Sequence, residues 1–446
     1  MANSLFVLRV CLVAALGGLL FGYDTAVIAG AIGFLQARFD LSPTMVGWVA
    51  SSAIWGCVAG VAFAGYLSDQ FGRKKALLLT AFLFTISGIA TALPNSLSLF
   101  ILARFVGGLA IGAASMLSPL YIAEIAPPHI RGRLVTLYQL AIVIGINLIY
   151  YVNMQIAAMG DQAWNTQTGW RIMLGSETIP AILFGILLFF VPESPRWLIK
   201  QGKIGQALDI LKAVNGTQQA ESIREQIRES LEKKTGTFSD LFAPGLRKAL
   251  SIGVVLALFS QITGINAIIY FAPEIFKRIG FSADSAFMQT FLIGIINTIF
   301  TIVALWLVDW QGRRKLLLWG VAGMTICLGV VGYCFYFSLL SGPWLLIAIL
   351  AYIACFASSL GPIPWIIISE IFPTQTRGVA MSVATGMVWV GVLLITQFTP
   401  ILLDSVGGAY LFWIFMGNSI VLFLFTLKNI PETKNLTLEE IEQQWK

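Results

Sequence analysis

The chain contains 446 residues, of which 57% are hydrophobic and 11% are charged, whereas soluble globular proteins carry roughly 25% charged residues. A soluble fold could not bury that much apolar surface, so the composition excludes a soluble enzyme and indicates a polytopic membrane protein. The net charge of +6 is attributed to basic loops at one membrane face and does not indicate a nucleic-acid partner. The five cysteines lie inside apolar runs without metal-type spacing, which predicts neither a disulfide nor a metal site.

Residues 1–192 contain six apolar segments that are each long enough for the roughly 20 residues needed to cross a bilayer. Their only charged residues are Asp24, Arg104 and Glu177. The longest run is divided at Pro94-Asn95, because a helix rarely continues through such a pair. The first run is too long for a signal-peptide core and is predicted to be a retained helix. The predicted spans occupy residues 10–37, 41–68, two segments within 76–123, 134–160 and 172–192.

A polar segment over residues 193–248 separates these spans from the next six. Its charged residues recur at helical spacing, which predicts short amphipathic cytoplasmic helices. A segment of about 50 residues buries too little core to be a separate catalytic domain. The later predicted spans occupy residues 249–273, 285–308, two segments within 316–369, 378–403 and 405–427.

The two sets of spans repeat one design. Asp69–Lys75, after the second span, recurs as Asp309–Lys315 after the eighth, and Pro192-Glu193-Ser194 recurs as Pro431-Glu432-Thr433. Two bundles that rock about a midplane site are a transporter architecture. The predicted domains are residues 1–192 and 249–430 as six-helix bundles, 193–248 as the linker and 431–446 as a cytoplasmic tail.

Lysine and arginine residues concentrate in alternate loops and in the segment 193–248. Since cytoplasmic loops collect basic residues, both termini are predicted to be cytoplasmic. The glycines of Gly107-Gly108-x-x-x-Gly112 lie inside an apolar run without a preceding strand, so they predict close helix packing and not a nucleotide site.

Several motifs together resemble the sugar porter family of the major facilitator superfamily, from about residue 10 to residue 443. They are the doubled Gly-Arg-Lys/Arg loop, Arg104, Glu124 with Arg131-Gly132-Arg133, Pro192–Trp197, Gln261-x-x-Gly264-x-Asn266, Gly361-Pro362-x-Pro364-Trp365 and Pro431–Lys434. The segment Gly17–Val27 is similar to that of bacterial proton-coupled xylose and glucose symporters.

The resemblance implies an all-α membrane protein of twelve transmembrane helices in two pseudo-symmetric six-helix bundles. It implies a monomeric secondary transporter in a bacterial inner membrane, without enzyme activity, cofactor or metal. A monosaccharide would cross together with protons by alternating access. A facilitative uniporter with the same fold, and a membrane sugar sensor, are alternatives. An enzyme is disfavoured because no nucleophile and base pair lies at membrane depth and His129 is the single histidine.

Asp24 is the first functional candidate, because a carboxylate inside a membrane helix is energetically costly. Arg9 and Asp24 are separated by roughly 22 Å of helix, and Arg104 and Glu124 by roughly 30 Å. Asp24 and Arg104 therefore lie at similar depth and are expected to pair. Burial disfavours the ionised carboxylate and the guanidinium favours it, so a change in their contact would switch the site between holding and releasing a proton. A static ion pair that only fixes packing is the alternative.

Sugar recognition needs amides that donate and accept hydrogen bonds, and aromatic faces that cover the ring. Polar residues in membrane helices also serve as interhelical contacts, and this alternative applies to each amide singly. Gly361-Pro362 is expected to break the tenth helix. Ile146, Ser260 and Val388 replace glutamines of relatives, which leaves a pentose, a hexose or a less hydroxylated cargo open. The residues that match the family's sugar site are Phe21, Gln139, Gln261, Asn266, Tyr270, Asn297, Gly361, Trp365 and Trp389.

The repeated loops predict a cytoplasmic gate. Arg73 and Arg313 are expected to pair with glutamates and to hold the halves closed on the inner side, because partly solvated pairs are weak enough to open. The predicted gate residues are Arg73, Glu124, Arg131, Glu193, Arg313, Glu370, Arg377 and Glu432.

Overall fold

The structure of the protein is a computed structural model that describes residues 4–127, 130–232, 238–243, 246–339, 343–372 and 376–434. His129 and the segment after Lys434 lie outside these residues. Over the described residues, twelve helical segments are long and apolar enough to cross a membrane. The predicted all-α class and the twelve spans are therefore confirmed.

The first five spans are single helices and the sixth is interrupted. The predicted break at Pro94-Asn95 separates α3 from α4. The sixth span contains a π-helical turn over Asn165–Gly169. The helices of this part are α1 (Ser4–Phe39), α2 (Pro43–Phe71), α3 (Arg73–Ala92), α4 (Leu97–Ile125), α5 (Arg131–Ala157), α6 (Gln162–Trp164), α7 (Trp170–Gly175), α8 (Thr178–Leu188), α9 (Pro195–Lys200), α10 (Ile204–Asn215) and α11 (Thr217–Glu232).

The second set of spans begins after a 3-10 turn over Phe238–Phe242. The seventh span is α12 with α13, and the tenth is α16 with α17. The tenth is interrupted at Gly361-Pro362 as predicted, whereas the interruption of the seventh at Gly264 was not predicted. The helices are α12 (Leu246–Ile262), α13 (Ile265–Arg278), α14 (Ala283–Gln311), α15 (Arg313–Tyr336), α16 (Pro343–Ser358), α17 (Ile363–Ile371), α18 (Arg377–Ser405) and α19 (Gly407–Asn429).

The helices group into two compact units that do not follow the order of the chain. Unit 1 comprises Met1–Ala31 and Ser52–Lys234, and unit 2 comprises Ile32–Ser51 and Thr235–Lys446. The C-terminal end of α1 and the start of α2 thus belong to unit 2. The domain boundaries given above stay a prediction.

Each unit repeats the same helix packing. In unit 1, α3 packs against α4 and against α7 and α8 of the sixth span; in unit 2, α15 packs against α16 of the tenth span and α19, the twelfth. In unit 1, a Cβ on Gly145 would lie 2.1 Å from the Leu19 carbonyl oxygen, so the first and fifth spans touch through their backbones. Their counterparts in unit 2, α12 and α18, also pack together. Both halves of the sequence therefore fold in one design.

The glycines at positions 107–112 serve helix packing, as predicted. A Cβ on Gly108 would lie 1.9 Å from the carbonyl oxygen of Ala53, and one on Gly112 would lie 2.2 Å from that of Cys57. Since no side chain fits between these backbones, α2 and α4 cross at the closest distance that helices reach.

A cluster within unit 2 holds the C-terminal end of α1. The Phe34 and Phe287 rings stack with centroids 6.4 Å apart. The Lys277 ammonium lies 5.3 Å from the Phe34 centroid and 5.9 Å from that of Phe287. Lys277 also pairs with Glu274 at 2.8 Å, and the Glu274 carboxylate lies against Gly33. Cation–π contacts and an ion pair therefore connect this part of α1 to α13 and α14.

Candidate functional site

Asp24 and Arg104 form a buried ion pair between α1 and α4 in unit 1. The Arg104 Nη1 donates to Asp24 Oδ1, and Nη2 donates to the Asp24 backbone carbonyl at 3.3 Å. Asp24 is 0% exposed and Arg104 is 1% exposed. The structure thus brings together the two residues whose pairing the sequence predicted from helix depth.

The second carboxylate oxygen of Asp24 faces α4. Asp24 Oδ2 accepts no hydrogen bond from the described residues. A Cβ placed on Gly107 would lie 2.9 Å from this oxygen and 2.4 Å from Ser87 Oγ. The absence of a side chain at position 107 therefore makes room for the carboxylate.

Glu177 is a third buried charge beside this pair. It is 1% exposed, and it lies close enough to Asp24 and Arg104 to interact with both electrostatically. Its Oε1 accepts no hydrogen bond from the described residues. The adjacent Ser176 Oγ is 2.8 Å from the Tyr23 hydroxyl, which ties the sixth span to α1.

Glu177 was not among the predicted site residues. The sequence identified it as the one charge in its span, and the rule that selected Asp24 would also have selected it: an ionisable side chain in a membrane helix is a functional candidate. Its proximity to Asp24, 153 positions away in the sequence, is visible only in the fold.

Two predicted sugar-site amides flank the interruption of the seventh span. The Asn266 Nδ2 donates to Gln261 Oε1 at 2.8 Å, and the Gln261 Nε2 donates to Ser260 Oγ at 2.9 Å. Between them, Gly264 adopts a φ of 101°, a conformation that side chains disfavour. A helix interruption leaves backbone N–H and C=O groups without helical hydrogen-bond partners. The two amides therefore lie beside further hydrogen-bonding atoms of the backbone.

Neighbouring helices satisfy the carbonyl groups that the interruption releases. The Tyr352 hydroxyl donates to the Thr263 carbonyl at 3.1 Å, and the Asn418 Nδ2 donates to the Ile262 carbonyl at 2.8 Å. Phe415 packs against Gly264, where a Cβ would lie 2.4 Å from its ring. Side chains of the tenth and twelfth spans therefore stabilise the break.

The remaining predicted sugar-site residues divide between the units. In unit 1, Phe21 and Gln139 are half-buried. In unit 2, Trp365 lies in the first turn of α17, after the interruption at Gly361, and is exposed. The buried members in unit 2, besides Asn266, are Tyr270, Asn297 and Trp389.

The first charged loop forms a network within unit 1. Arg73 binds both oxygens of Glu124, from Nε at 2.9 Å and from Nη2 at 3.1 Å. Its Nη1 pairs with Asp69 at 2.9 Å. The Glu193 carboxylate accepts from the backbone N–H groups of Arg73 at 2.9 Å and Lys74 at 3.1 Å. A carboxylate at these N–H groups caps the start of α3 and complements its helix dipole.

The second charged loop repeats this network within unit 2. Arg313 Nη2 pairs with Glu370 at 3.0 Å, and the Glu432 carboxylate accepts from the backbone N–H groups of Arg313 at 2.8 Å and Arg314 at 3.1 Å. The Thr433 hydroxyl donates to Glu370, as the Ser194 hydroxyl donates to Glu124 in unit 1. The sequence repeat therefore extends to individual hydrogen bonds.

These networks differ from the predicted gate in one respect. Arg73 and Arg313 were expected to pair with four glutamates through their side chains, but Glu193 and Glu432 bind backbone N–H groups. Their geometry explains this, because a glycine in the left-handed region precedes each helix and lets the carboxylate approach. The described contacts of each glutamate lie within its own unit, which is unit 1 for Glu124 and Glu193 and unit 2 for Glu370 and Glu432. Arg131 begins α5 and is exposed, while the Arg377 side chain lies outside what the structure describes.

The comparisons with known proteins agree with the fold. The family described as Sugar (and other) transporter matches residues 10–445. An arabinose-proton symporter of Bacillus subtilis (strain 168) is 49% identical over 99% of this chain and 95% of that protein. A D-xylose-proton symporter of Escherichia coli (strain K12) is 41% identical over 99% of this chain and 96% of that protein.

A solved structure gives the same result in three dimensions. The xylose transporter XylE from E. coli, in a partially occluded inward-open conformation, superposes with a TM-score of 0.88 at 39% identity, over 97% of this chain and 100% of that one. Fold, repeated loops and sequence coverage agree over the whole length, and the chain therefore belongs to the sugar (and other) transporter family, with the twelve-helix fold of the major facilitator superfamily.

Proposed function

We propose that the protein is a secondary active transporter that carries a monosaccharide together with protons by alternating access. The observation that carries the proposal is the buried cluster of Asp24, Arg104 and Glu177. One cation and two carboxylates sum to −1 when all are ionised, so the cluster becomes neutral when it holds one proton. Because an uncompensated charge at membrane depth is costly, this balance favours the uptake of one proton at the site.

The cargo site is proposed on the amides and aromatic residues that the resemblance selected. The Ser260–Gln261–Asn266 chain of hydrogen bonds offers donors and acceptors at an interrupted helix, which suits the hydroxyl groups of a sugar. The names of the relatives support pentoses such as arabinose and xylose as the first cargo to test. Gln139, Asn297, Tyr270, Trp389, Trp365 and Phe21 complete the proposed site.

The gate proposal concerns the two charged networks. Each network connects the helices of its own unit at the basic loops. We therefore propose that the networks keep the helix ends of each unit in a fixed arrangement while the bundles move. By the distribution of basic residues, these loops and both termini face the cytoplasm of a bacterial cell.

Transport by purified protein in proteoliposomes tests the proton coupling. Counterflow of labelled arabinose, xylose and glucose identifies the cargo, and the external pH is recorded during uptake. We expect sugar accumulation against a gradient only when a proton gradient is imposed. In Asp24→Asn, accumulation is expected to be lost while counterflow continues, since the amide holds no exchangeable proton.

Asp284→Asn is the matched control, because Asp284 lies exposed at the start of α14. It should leave both assays unchanged. Accumulation against a gradient that survives in Asp24→Asn or in the presence of an uncoupler would refute proton coupling through Asp24. Equilibration of the sugar without accumulation, with or without a proton gradient, would mean that the protein is a uniporter. Absence of counterflow with every sugar of the panel would overturn the cargo class.

A further inference from the structure

A groove in unit 2 lies where the eighth and ninth spans meet the membrane surface. It encloses about 440 Å³ and is lined by Trp310, Gln311, Lys315, Trp319, Glu432 and Lys434. The spans end at Val308 and begin again at Arg313. The groove therefore lies at the boundary between the apolar bilayer core and the headgroups.

The aromatic lining indicates contact with lipid. Trp310 and Trp319 are each 74% exposed, and an exposed indole at the end of a span is typical of the interfacial aromatic belt. The apolar ring enters the acyl chain region while the N–H remains near the headgroups. Two such rings on one groove provide a surface for the upper part of a lipid chain.

The charged lining favours an anionic headgroup. Lys315 and Lys434 contribute two positive charges and Glu432 one negative charge. The Glu432 carboxylate is already satisfied by the backbone N–H groups of Arg313, Arg314 and Lys434, at 2.8, 3.1 and 3.1 Å. The groove thus keeps a positive excess of one, which complements a phosphodiester.

The corresponding loop of unit 1 carries different side chains at the positions of the two lining tryptophans. At an offset of 240 residues, Trp310 corresponds to Gln70, Trp319 to Leu79 and Lys315 to Lys75. There, α9 covers the loop, since the Trp197 Nε1 donates to the Asp69 carbonyl at 2.9 Å. In unit 2 the carbonyl of Trp310, one residue after the position that corresponds to Asp69, accepts from Lys434 Nζ at 2.8 Å.

We propose that this groove binds the headgroup of an anionic phospholipid, with the phosphodiester at Lys315 and Lys434 and the chains along Trp310 and Trp319. Basic pockets beside membrane helices recognise anionic lipids in this way. A lipid bound in the groove would affect the charged network of unit 2, because Glu432 belongs to both the groove and the network. The inference does not depend on the identity of the cargo.

Native mass spectrometry of the detergent-purified protein tests the site by titration with phosphatidylglycerol and phosphatidylcholine. In Lys315→Gln/Lys434→Gln, the tightest phosphatidylglycerol affinity is expected to fall roughly thirtyfold, since each lysine near an anionic surface contributes about a factor of five. Trp310→Leu/Trp319→Leu is expected to weaken binding without a change of charge. Phosphatidylcholine affinity should stay the same in the lysine double variant.

Lys75→Gln, at the corresponding position of unit 1, is the matched control and should bind phosphatidylglycerol like the unmodified chain. Thermal unfolding of each variant checks that the fold is retained. The proposal is overturned if the lysine double variant binds phosphatidylglycerol within twofold of the unmodified chain, or if Lys75→Gln loses as much affinity. It is also overturned if inorganic phosphate displaces the lipid at equal concentration.

Discussion

Asp24 is held by one guanidinium on one side and by the backbone of α4 on the other. The contact with Gly107 is as specific as the ion pair, because a methyl group there would lie 2.9 Å from Asp24 Oδ2 and 2.4 Å from Ser87 Oγ. The position of the Asp24 carboxylate therefore depends on Gly107, a residue without a side chain.

Gly107→Ala is expected to displace the Asp24 carboxylate and to destabilise unit 1 by about 1 to 3 kcal/mol through overpacking. Proton-driven accumulation should fall more than counterflow, and thermal unfolding of the purified protein gives the stability change. Gly386→Ala is the control, since α18 has open space around that position. It is expected to keep full transport and to be slightly more stable, because alanine favours a helix over glycine by about 1 kcal/mol. Equal effects of both substitutions would refute the proposed role of Gly107.

Glu177→Gln tests the charge balance of the cluster. With glutamine, the remaining charges sum to zero without a bound proton, so the dependence of uptake on external pH is expected to weaken while counterflow continues. Glu229→Gln, on the exposed surface of α11, should keep the original pH profile. An unchanged profile in Glu177→Gln would assign proton exchange to Asp24 alone.

Among the elements, the seventh span departs from an ideal helix at Gly264. Gly264 has a φ of 101° and packs against Phe415, and two distant side chains bind the released carbonyls. The interruption therefore has two separable requirements, a left-handed backbone and the absence of a side chain.

Gly264→Ala violates both requirements and is expected to lower stability by the roughly 1 to 2 kcal/mol of left-handed strain plus about 1 to 3 kcal/mol of overpacking. Gly280→Ala isolates the first requirement, because Gly280 has a φ of 96° but no neighbour within 4 Å of an added Cβ. Thermal unfolding should show the larger loss for Gly264→Ala, with loss of counterflow in that variant alone. Similar losses in both variants would show that Phe415 does not constrain the break.

An element can be predicted from the sequence when the residues that cause it lie close together in the chain. The spans and the breaks at Pro94-Asn95 and Gly361-Pro362 depend on apolar length and on proline, and both can be identified within a short window of sequence. The break at Gly264 depends on Tyr352, Phe415 and Asn418, which no local pattern connects to it. The neighbourhood of Glu177 and Asp24 and the backbone binding of Glu193 and Glu432 likewise arise only from tertiary packing.

In the whole molecule, the charged networks of the two repeats make equivalent contacts, but the ion pair of unit 1 is more buried than that of unit 2. Arg73 and Glu124 expose 9% and 7% of their side chains, while Arg313 and Glu370 expose 17% and 22%. Because water screens an exposed ion pair, the Arg73–Glu124 pair should contribute more stability than the Arg313–Glu370 pair, although both join an arginine to a glutamate.

Glu124→Gln is accordingly expected to destabilise the protein by about 3 kcal/mol, since it leaves a largely buried guanidinium with less charge compensation. Glu370→Gln should have a smaller effect, and Glu221→Gln, which removes an exposed pair with Arg224 on α11, should change stability by less than about 1 kcal/mol. Thermal unfolding in one detergent compares the three variants. The reverse order for Glu124→Gln and Glu370→Gln would contradict the burial argument.

The long first helix belongs to both compact units. It runs from Ser4 to Phe39 as one element, yet residues up to Ala31 belong to unit 1 and those from Ile32 belong to unit 2. A continuous helix is stiff, because every turn is fixed by backbone hydrogen bonds. Any change of angle between the units must therefore either curve this rod near residue 31 or detach Phe34 from Lys277 and Phe287. The stiffness of α1, like that of α2, which also belongs to both units, thus limits how far the angle between the units can change.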